Sequence, residues 1–176
     1  MSPEPSPLLP TLRQSTQADH ERLESLTFGP KIMDGSLTAA EYRRLLEWQR
    51  RAHAVLEPQV TGFRRGDYAY RPRFPAARPA AAEITDLPRA LGILYVLEGG
   101  SLGGSVILRK LRANPGLQGE APFAFYQQQA EWGVPQWRKF LKMLAAVELS
   151  ADEMDRAVTG AREAFGTFEA EWRAMP

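Results

Sequence analysis

His20, Arg13 and Glu24 are the residues from which chemistry can start. The chain has two histidines and no cysteine, so thiol nucleophiles, disulfides, Cys-ligated zinc and iron–sulfur clusters are excluded together. Arg13, Thr16, Gln17, His20, Leu23, Glu24 and Thr27 share one face of a predicted first helix. Arg13 and His20 stand two turns apart, roughly 10 Å at ~1.5 Å per residue. An imidazole on a metal with a guanidinium two turns back would hold both the centre and the acidic rim of a flat ligand. Glu24, one turn further on, would orient the other ring nitrogen directly or through water. The same pattern also suits a solvated helix face carrying one surface histidine. The second histidine, His53, falls on the apolar stripe of the next helix near Leu46 and Leu56. It reads as a buried or half-buried structural residue, so His20 is the better axial ligand.

The second unusual group is glycine. Gly99, Gly100, Gly103 and Gly104 cluster inside a predicted helix that also holds Gly92. Each helical glycine costs roughly 1 kcal/mol relative to alanine, so the four together oppose the helix by about 4 kcal/mol. Something must offset that. One reading is close helix–helix packing; the other is a flat ligand lying on bare backbone, at a bend that adjacent glycines favour. A haem is flat, and the span from its iron to its rim carboxylates is similar to that between His20 and Arg13.

The elements that must position these groups are helical. Thr11 with Gln14, Thr38 with Glu41, and Ser150 with Glu153 have the spacing of capping boxes, in which the hydroxyl and the Glu or Gln satisfy each other's free N–H groups. Helices are predicted at about Leu12–Leu26, Ala39–Glu57, Asp86–Arg112 and Phe123–Trp132. The last of these is interrupted at Gly133-Val134-Pro135 and resumes over Gln136–Val147. A final helix carries Met154, Ala157, Val158, Ala161, Phe165, Phe168 and Trp172 at core spacing. Residues 58–82, rich in Arg, Pro and Ala, are expected to form a surface loop. No stretch alternates with period two, so the class is all-α, with five or six helices.

At 176 residues and a net charge of +1, the chain is expected to be one domain over 11–176 behind a frayed leader at 1–10. It lacks the basic excess of a nucleic-acid binder. The apolar run between Arg89 and Arg109 is long enough for a membrane span, but Glu98 and its five glycines argue against one. The leader has no signal-peptide pattern, and absent cysteine fits a reducing, cytoplasmic setting.

These segments resemble the biliverdin-producing haem oxygenases, most closely the bacterial branch found beside phytochromes or in iron acquisition. LRQSTQADHERLE (Leu12–Glu24) is similar to the proximal-helix motif, with His20 at the ligand position. LGILYVLEGGSLGGSVILRKL (Leu91–Leu111) is similar to the distal-helix motif and is the most specific match. Weaker echoes are Leu37–Trp48, Glu131–Phe140 and Ala161–Trp172. The resemblance implies a single-domain helical bundle with haem, as both cofactor and substrate, between the proximal and distal helices. It implies ring opening with O2 and electrons to biliverdin, Fe2+ and CO, with His20 on the iron and the backbone of Gly99, Gly100, Gly103 and Gly104 closing over the other face. Arg13 matches a propionate-contacting position, with Gln17 and Glu24 on the same haem-facing side. Arg138 and Lys142 fall near the family's second basic contact.

Many family members, the mammalian ones especially, carry an aspartate after the first distal glycine, where this chain has Gly100; bacterial relatives often lack it too, and the proton-delivery residue stays unassigned. Glu98 is nearby and is expected to face the surface. No P-loop, HExxH, Ser–His–Asp set or dinucleotide fingerprint appears, so electrons must come from an outside donor such as a ferredoxin or a reductase. Arg64, Arg65, Arg71, Arg73, Arg78 and Arg89 are a candidate docking surface for an acidic donor, or simply a solvated loop. Biliverdin supply to a phytochrome follows from the branch that the chain resembles. Phe123, Phe125, Tyr126, Trp132, Trp137 and Phe140 are expected to be mostly core. The rival readings are a non-catalytic haem-binding or storage protein on the same fold, and a helical interaction module whose glycines only pack.

Overall fold

Two reciprocal caps start two of the helices. Thr38 Oγ1 accepts from the Glu41 N–H at 3.3 Å while the Glu41 carboxylate accepts from the Thr38 N–H at 2.9 Å. Ser150 and Glu153 repeat the arrangement at 3.3 and 2.9 Å. The third box does not form. The computed structural model describes residues 7–74 and 83–176, and in it the first helix already runs at Leu8, with the Thr11 hydroxyl donating to the Pro7 carbonyl inside the first turn. Leu8 and Leu12, one turn apart, are both withdrawn from water. Burying such a side chain contributes about 1.5–3 kcal/mol, and Pro10 sits in the first turn, where a missing N–H is harmless. The helix therefore extends into the span expected as a leader. Residues 1–6 of that leader lie outside the described residues.

Among the described residues the helices are α1 (Leu8–Leu26), α2 (Gly29–Asp34), α3 (Ala39–Leu56), α4 (Leu87–Gly100), α5 (Gly104–Ala113), α6 (Ala124–Ala145) and α7 (Ala151–Arg173). A two-residue hairpin, β1 (Arg64–Arg65) with β2 (Tyr68–Ala69), is antiparallel. The all-α class holds. Helix α7 is the hub, with α4, α1 and α3 packed along it. The crossing with α4 is close because both helices bring glycine to it. A Cβ on Gly92 would lie 1.9 Å from the Ala157 carbonyl oxygen, and one on Gly160 would lie 2.2 Å from the Arg89 carbonyl oxygen.

Three expectations about continuity change. The helix predicted across 86–112 breaks at Ser101–Gly103, where the N–H groups of Ser101, Leu102 and Gly104 reach back only three residues, to Glu98, Gly99 and Ser101. Such tightening marks a bend rather than a continued α-helix. Conversely, α6 runs unbroken through Gly133 and Pro135. A helical proline costs about 3 kcal/mol, but burial of Tyr126, Trp137, Phe140 and Leu144 on the same helix outweighs that. Gly133 is needed there, since a Cβ would meet the Ser101 carbonyl oxygen at 2.4 Å. The apolar stretch Leu87–Ala113 is long enough to cross a membrane by length and composition. It nevertheless holds Leu91, Ile93, Leu94 and Leu97, all buried in the core.

The expected surface loop is not wholly a surface. Val60, Phe63, Tyr68, Tyr70 and Arg73 are buried, so this stretch closes one side of the core. Residues 75–82, including Arg78, lie outside the described residues.

Candidate functional site

A cavity of about 360 Å3 opens between α1, α3, the end of α4, α6 and α7. An adjoining one of about 300 Å3 shares Arg13, His20, Tyr95 and Phe165 with it. That size falls in the ~300–1,000 Å3 range of small-molecule sites. His20 from α1 and Gly99 and Gly100 from the last turn of α4 line the same cavity, although they lie far apart in the sequence.

His20 is more than half exposed at its side chain, and Phe165 meets the ring edge-on at 6.1 Å. Glu24 Oε1 lies 3.7 Å from Nε2, beyond hydrogen-bond reach. Neither ring nitrogen of His20 has a hydrogen bond among the described residues, so the imidazole is available to a ligand. Arg13 lines both cavities and likewise has no protein partner there. Gln17 lines the smaller cavity, but its amide donates to Glu21 Oε1 at 2.9 Å.

The glycines divide between the two roles that the sequence left open. A Cβ on Gly100 would meet nothing within 4 Å, and one on Gly99 only the Trp137 ring at 3.9 Å; both open onto the cavity. Gly104 is a packing glycine. Its missing Cβ lets α5 lie against α6, where Gln129 Cβ would be 2.7 Å away. Gly103 lies outside the cavity lining, and a Cβ there would touch only Ile107 of the following helix, at 3.6 Å.

Arg138 and Lys142 are not brought to the cavity. Both are exposed on α6, which turns Gln129 and Trp137 inward instead, and Lys142 Nζ pairs with Asp67 Oδ2 at 2.7 Å. Of the aromatic group, Trp137 alone reaches the lining. Trp132 stacks beneath the Arg71 guanidinium at 4.0 Å, and Phe123, Phe125, Tyr126 and Phe140 are core.

His53 is buried, as its stripe position implies. Its Nδ1 lies 2.7 Å from the Gln49 carbonyl oxygen, and Phe74, Phe125 and Phe168 surround the ring edge-on. Burial pushes its pKa down to about 4, so the ring is neutral. Its position also places it in the cavity lining together with Gln49.

Sequence reasoning missed Gln49, Tyr95 and Gln129. Tyr95 was within reach, since it lies one turn before Gly99 and therefore on the same side of α4. Gln129 carried no local signal.

Glu98 is the sharpest departure from expectation. Instead of facing solvent it is wholly buried and pairs with Arg73 at 2.6 Å. Burial works against the Arg73 charge, but Glu98 beside it holds the guanidinium pKa above its ordinary value. Glu98 also accepts from the Tyr68 hydroxyl at 2.6 Å. Arg73 is thus structural. Arg71 is occupied by Trp132, and Arg89 by Glu163 and Gln59. Arg64 and Arg65, exposed on the hairpin, are left without partners among the described residues.

Comparison with known proteins adds an independent line. The family model described as heme oxygenase matches residues 75–173. A protein named "Heme oxygenase" from Xanthomonas campestris pv. campestris is 31% identical over 155 residues, covering 76% of this chain and 90% of that protein. "Heme oxygenase PigA" from Pseudomonas aeruginosa is 30% identical over 172 residues, covering 87% of this chain and 85% of that protein. No solved structure matches.

Proposed function

Because this chain belongs to the haem oxygenase family, haem-degrading monooxygenases that yield biliverdin, Fe2+ and CO, we propose that its haem site is the cavity between His20 and the α4–α5 bend. The observation that carries this reading is that an imidazole with no hydrogen bond among the described residues and two glycines, Gly99 and Gly100, line one cavity.

The donor set fits the group. His20, with neither ring nitrogen hydrogen-bonded among the described residues and its side chain in the cavity lining, would hold the haem iron, as histidine does in many haem proteins. Arg13, free of other partners among the described residues, would hold the haem carboxylates, with Tyr95 in the same lining. Glu24 and Gln17 stay at the rim. Gly99 and Gly100 let a planar ring lie against backbone. Trp48, Trp137, Phe165 and Phe168 exclude water from its faces. When bound, haem supplies the oxidising chemistry with O2; the protein places it and controls protons.

Electrons reach this site from a reductase or a ferredoxin-like donor, for which Arg64 and Arg65 are free surface cations. The enzyme works in the cytoplasm, where its biliverdin can supply a phytochrome. Haemin titration followed by reduction under O2 tests the reading. The Soret band of added haemin should shift on binding, then give way to a verdin absorbance with CO release. A chain that causes no Soret shift refutes the proposed site.

A further inference from the structure

We infer that Gln129 is a hydrogen-bonding residue of the haem cavity, holding an ordered water beside the α4–α5 bend. This rests on the haem reading of the cavity and adds to it a residue that neither the motif nor the family match assigns.

Gln129 is 95% withdrawn from solvent, at 5% relative exposure, and its carboxamide has no hydrogen-bond partner among the described residues. The amide is not sealed in the core, since only Arg44 Nε and Gln128 Oε1 are unpaired and cut off from solvent there; it keeps open space beside it, as water between paired groups requires. Its neighbour on α6, Gln136, shows the ordinary case, donating to the Ala69 carbonyl oxygen at 2.6 Å and to Glu98 Oε1 at 3.3 Å. Gln129 instead lines the cavity, together with Gly100 and Leu102 at the bend and Ile107 of α5.

Its placement is built rather than incidental. Gly104 removes the side chain that would strike Gln129 Cβ at 2.7 Å and the Ala130 nitrogen at 2.9 Å. The start of α5 therefore lies close against the root of the Gln129 side chain. A carboxamide offers both a donor and an acceptor. That pair suits a water, which must accept from one neighbour and donate to the next, better than a haem carboxylate, which only accepts. Arg13, on the α1 side, already serves carboxylates. Gly100 offers no side chain to order such a water, and Gln129 lines the same cavity from α6.

The test uses the full chain with Gln129→Leu and the isosteric Gln129→Glu. The readouts are haem affinity, the pH midpoint of the ferric complex's acid–alkaline absorbance change, and turnover. The other titratable or charged groups lining the cavity are Arg13, His20, Glu24, His53 and Tyr95; none hydrogen-bonds Gln129, so all remain in place. Gln129→Leu should leave apoprotein melting equal or higher, move the midpoint by more than about half a pH unit, and slow turnover roughly tenfold through lost water-mediated proton supply. Gln129→Glu should recover part of the turnover. Haem and its dimethyl ester should lose affinity equally. Selective loss for unmodified haem makes Gln129 a carboxylate contact and overturns the water role, as does an unchanged midpoint with unchanged turnover. If the unaltered chain takes up no haem at all, the cavity assignment itself fails, a result distinct from either of these.

Discussion

The Arg73 guanidinium donates to Glu98 Oε2 at 2.6 Å with both side chains essentially out of solvent. Glu98 is in the last turn of α4, immediately before Gly99 and Gly100, and Arg73 comes from the segment after the β1–β2 hairpin. Arg73 Nε also donates to Ser101 Oγ at 3.3 Å, and its backbone N–H is held by the Glu57 carboxylate. The Tyr68 hydroxyl and the Gln136 amide complete the set around Glu98. The cavity glycines thus sit at the end of a helix whose last turn is pinned by a buried ion pair. The bend can stay open toward the cavity without collapsing into a straight helix.

Breaking that pair should be costly. Arg73→Met or Glu98→Gln alone leaves an uncompensated buried partner and should lower stability by about 3–5 kcal/mol. The double variant should recover much of the loss. Urea denaturation of all four proteins gives the coupling, and additive losses would show that the two side chains do not act as a pair.

The glycines should separate by position. Gly92→Ala and Gly160→Ala drive a methyl into backbone at 1.9 and 2.2 Å; each should destabilise the apoprotein by about 1–3 kcal/mol, as overpacking does. Gly100→Ala meets open space and should leave the melting temperature unchanged or raised, while weakening haem uptake. Thermal melts paired with haemin titrations decide this. Normal haem binding by Gly100→Ala would remove Gly100 from the site.

Histidine replacement should sort the two imidazoles. His20→Ala should abolish the axial-ligand signature in the absorption spectrum and stop turnover, with little change in folding, because the side chain is 58% exposed. His53→Ala should keep the signature and lose on the order of 2 kcal/mol of stability. The opposite pattern in the spectra assigns the iron to His53.

Acid should weaken the fold through His53. Its pKa falls from 6.5 to about 4 on folding because burial disfavours the charged ring. Between those values the unfolded chain binds the extra proton, so stability is full above pH 6.5 and declines as pH falls toward 4, by at most ~1.4 kcal/mol per pH unit. Glu57 acts with the opposite sign, since burial raises its carboxyl pKa and its protonation favours the folded state as pH falls. Comparing His53→Leu with the unaltered chain across this window cancels Glu57. The variant should show the shallower decline, and parallel curves would rule His53 out as the source.

Arg13 and Lys142 should differ in function. Arg13→Ala should weaken haem binding roughly tenfold, the loss of one charge-assisted contact. Lys142→Ala, which removes only a pairing with Asp67 on the exposed side of α6, should leave it unchanged. Titration of both variants at one salt concentration makes the comparison.

Local order was legible in the residues because it depends on neighbours along the chain. The Thr38 and Ser150 boxes, the α7 stripe and the all-α class could be read from spacing; the pairing of an imidazole helix with a glycine-rich helix came only from the resemblance to a family. Extent was less legible. Leu8 lengthened α1, and the aromatic face of α6 carried that helix across Pro135, because burial against distant residues overrides local propensity. The direction in which a side chain faces was legible only where its own helix fixes it. Glu98 looked like a surface acid until Arg73, Tyr68 and Gln136 were seen around it.

The sequence by itself determined which residue types can do the chemistry: one available imidazole, a guanidinium two turns away and a run of glycines. Tertiary structure alone decided which of these meet. It gave Gly104 to helix packing and Gly99 and Gly100 to the cavity, left Arg138 and Lys142 outside, and brought Gln129 in. The physical reason is range. A helix's register is set by hydrogen bonds four residues apart, whereas a cavity wall is set by which backbones can approach closely enough to exclude a Cβ, and those contacts join α4 to α7 and α5 to α6 across the whole chain.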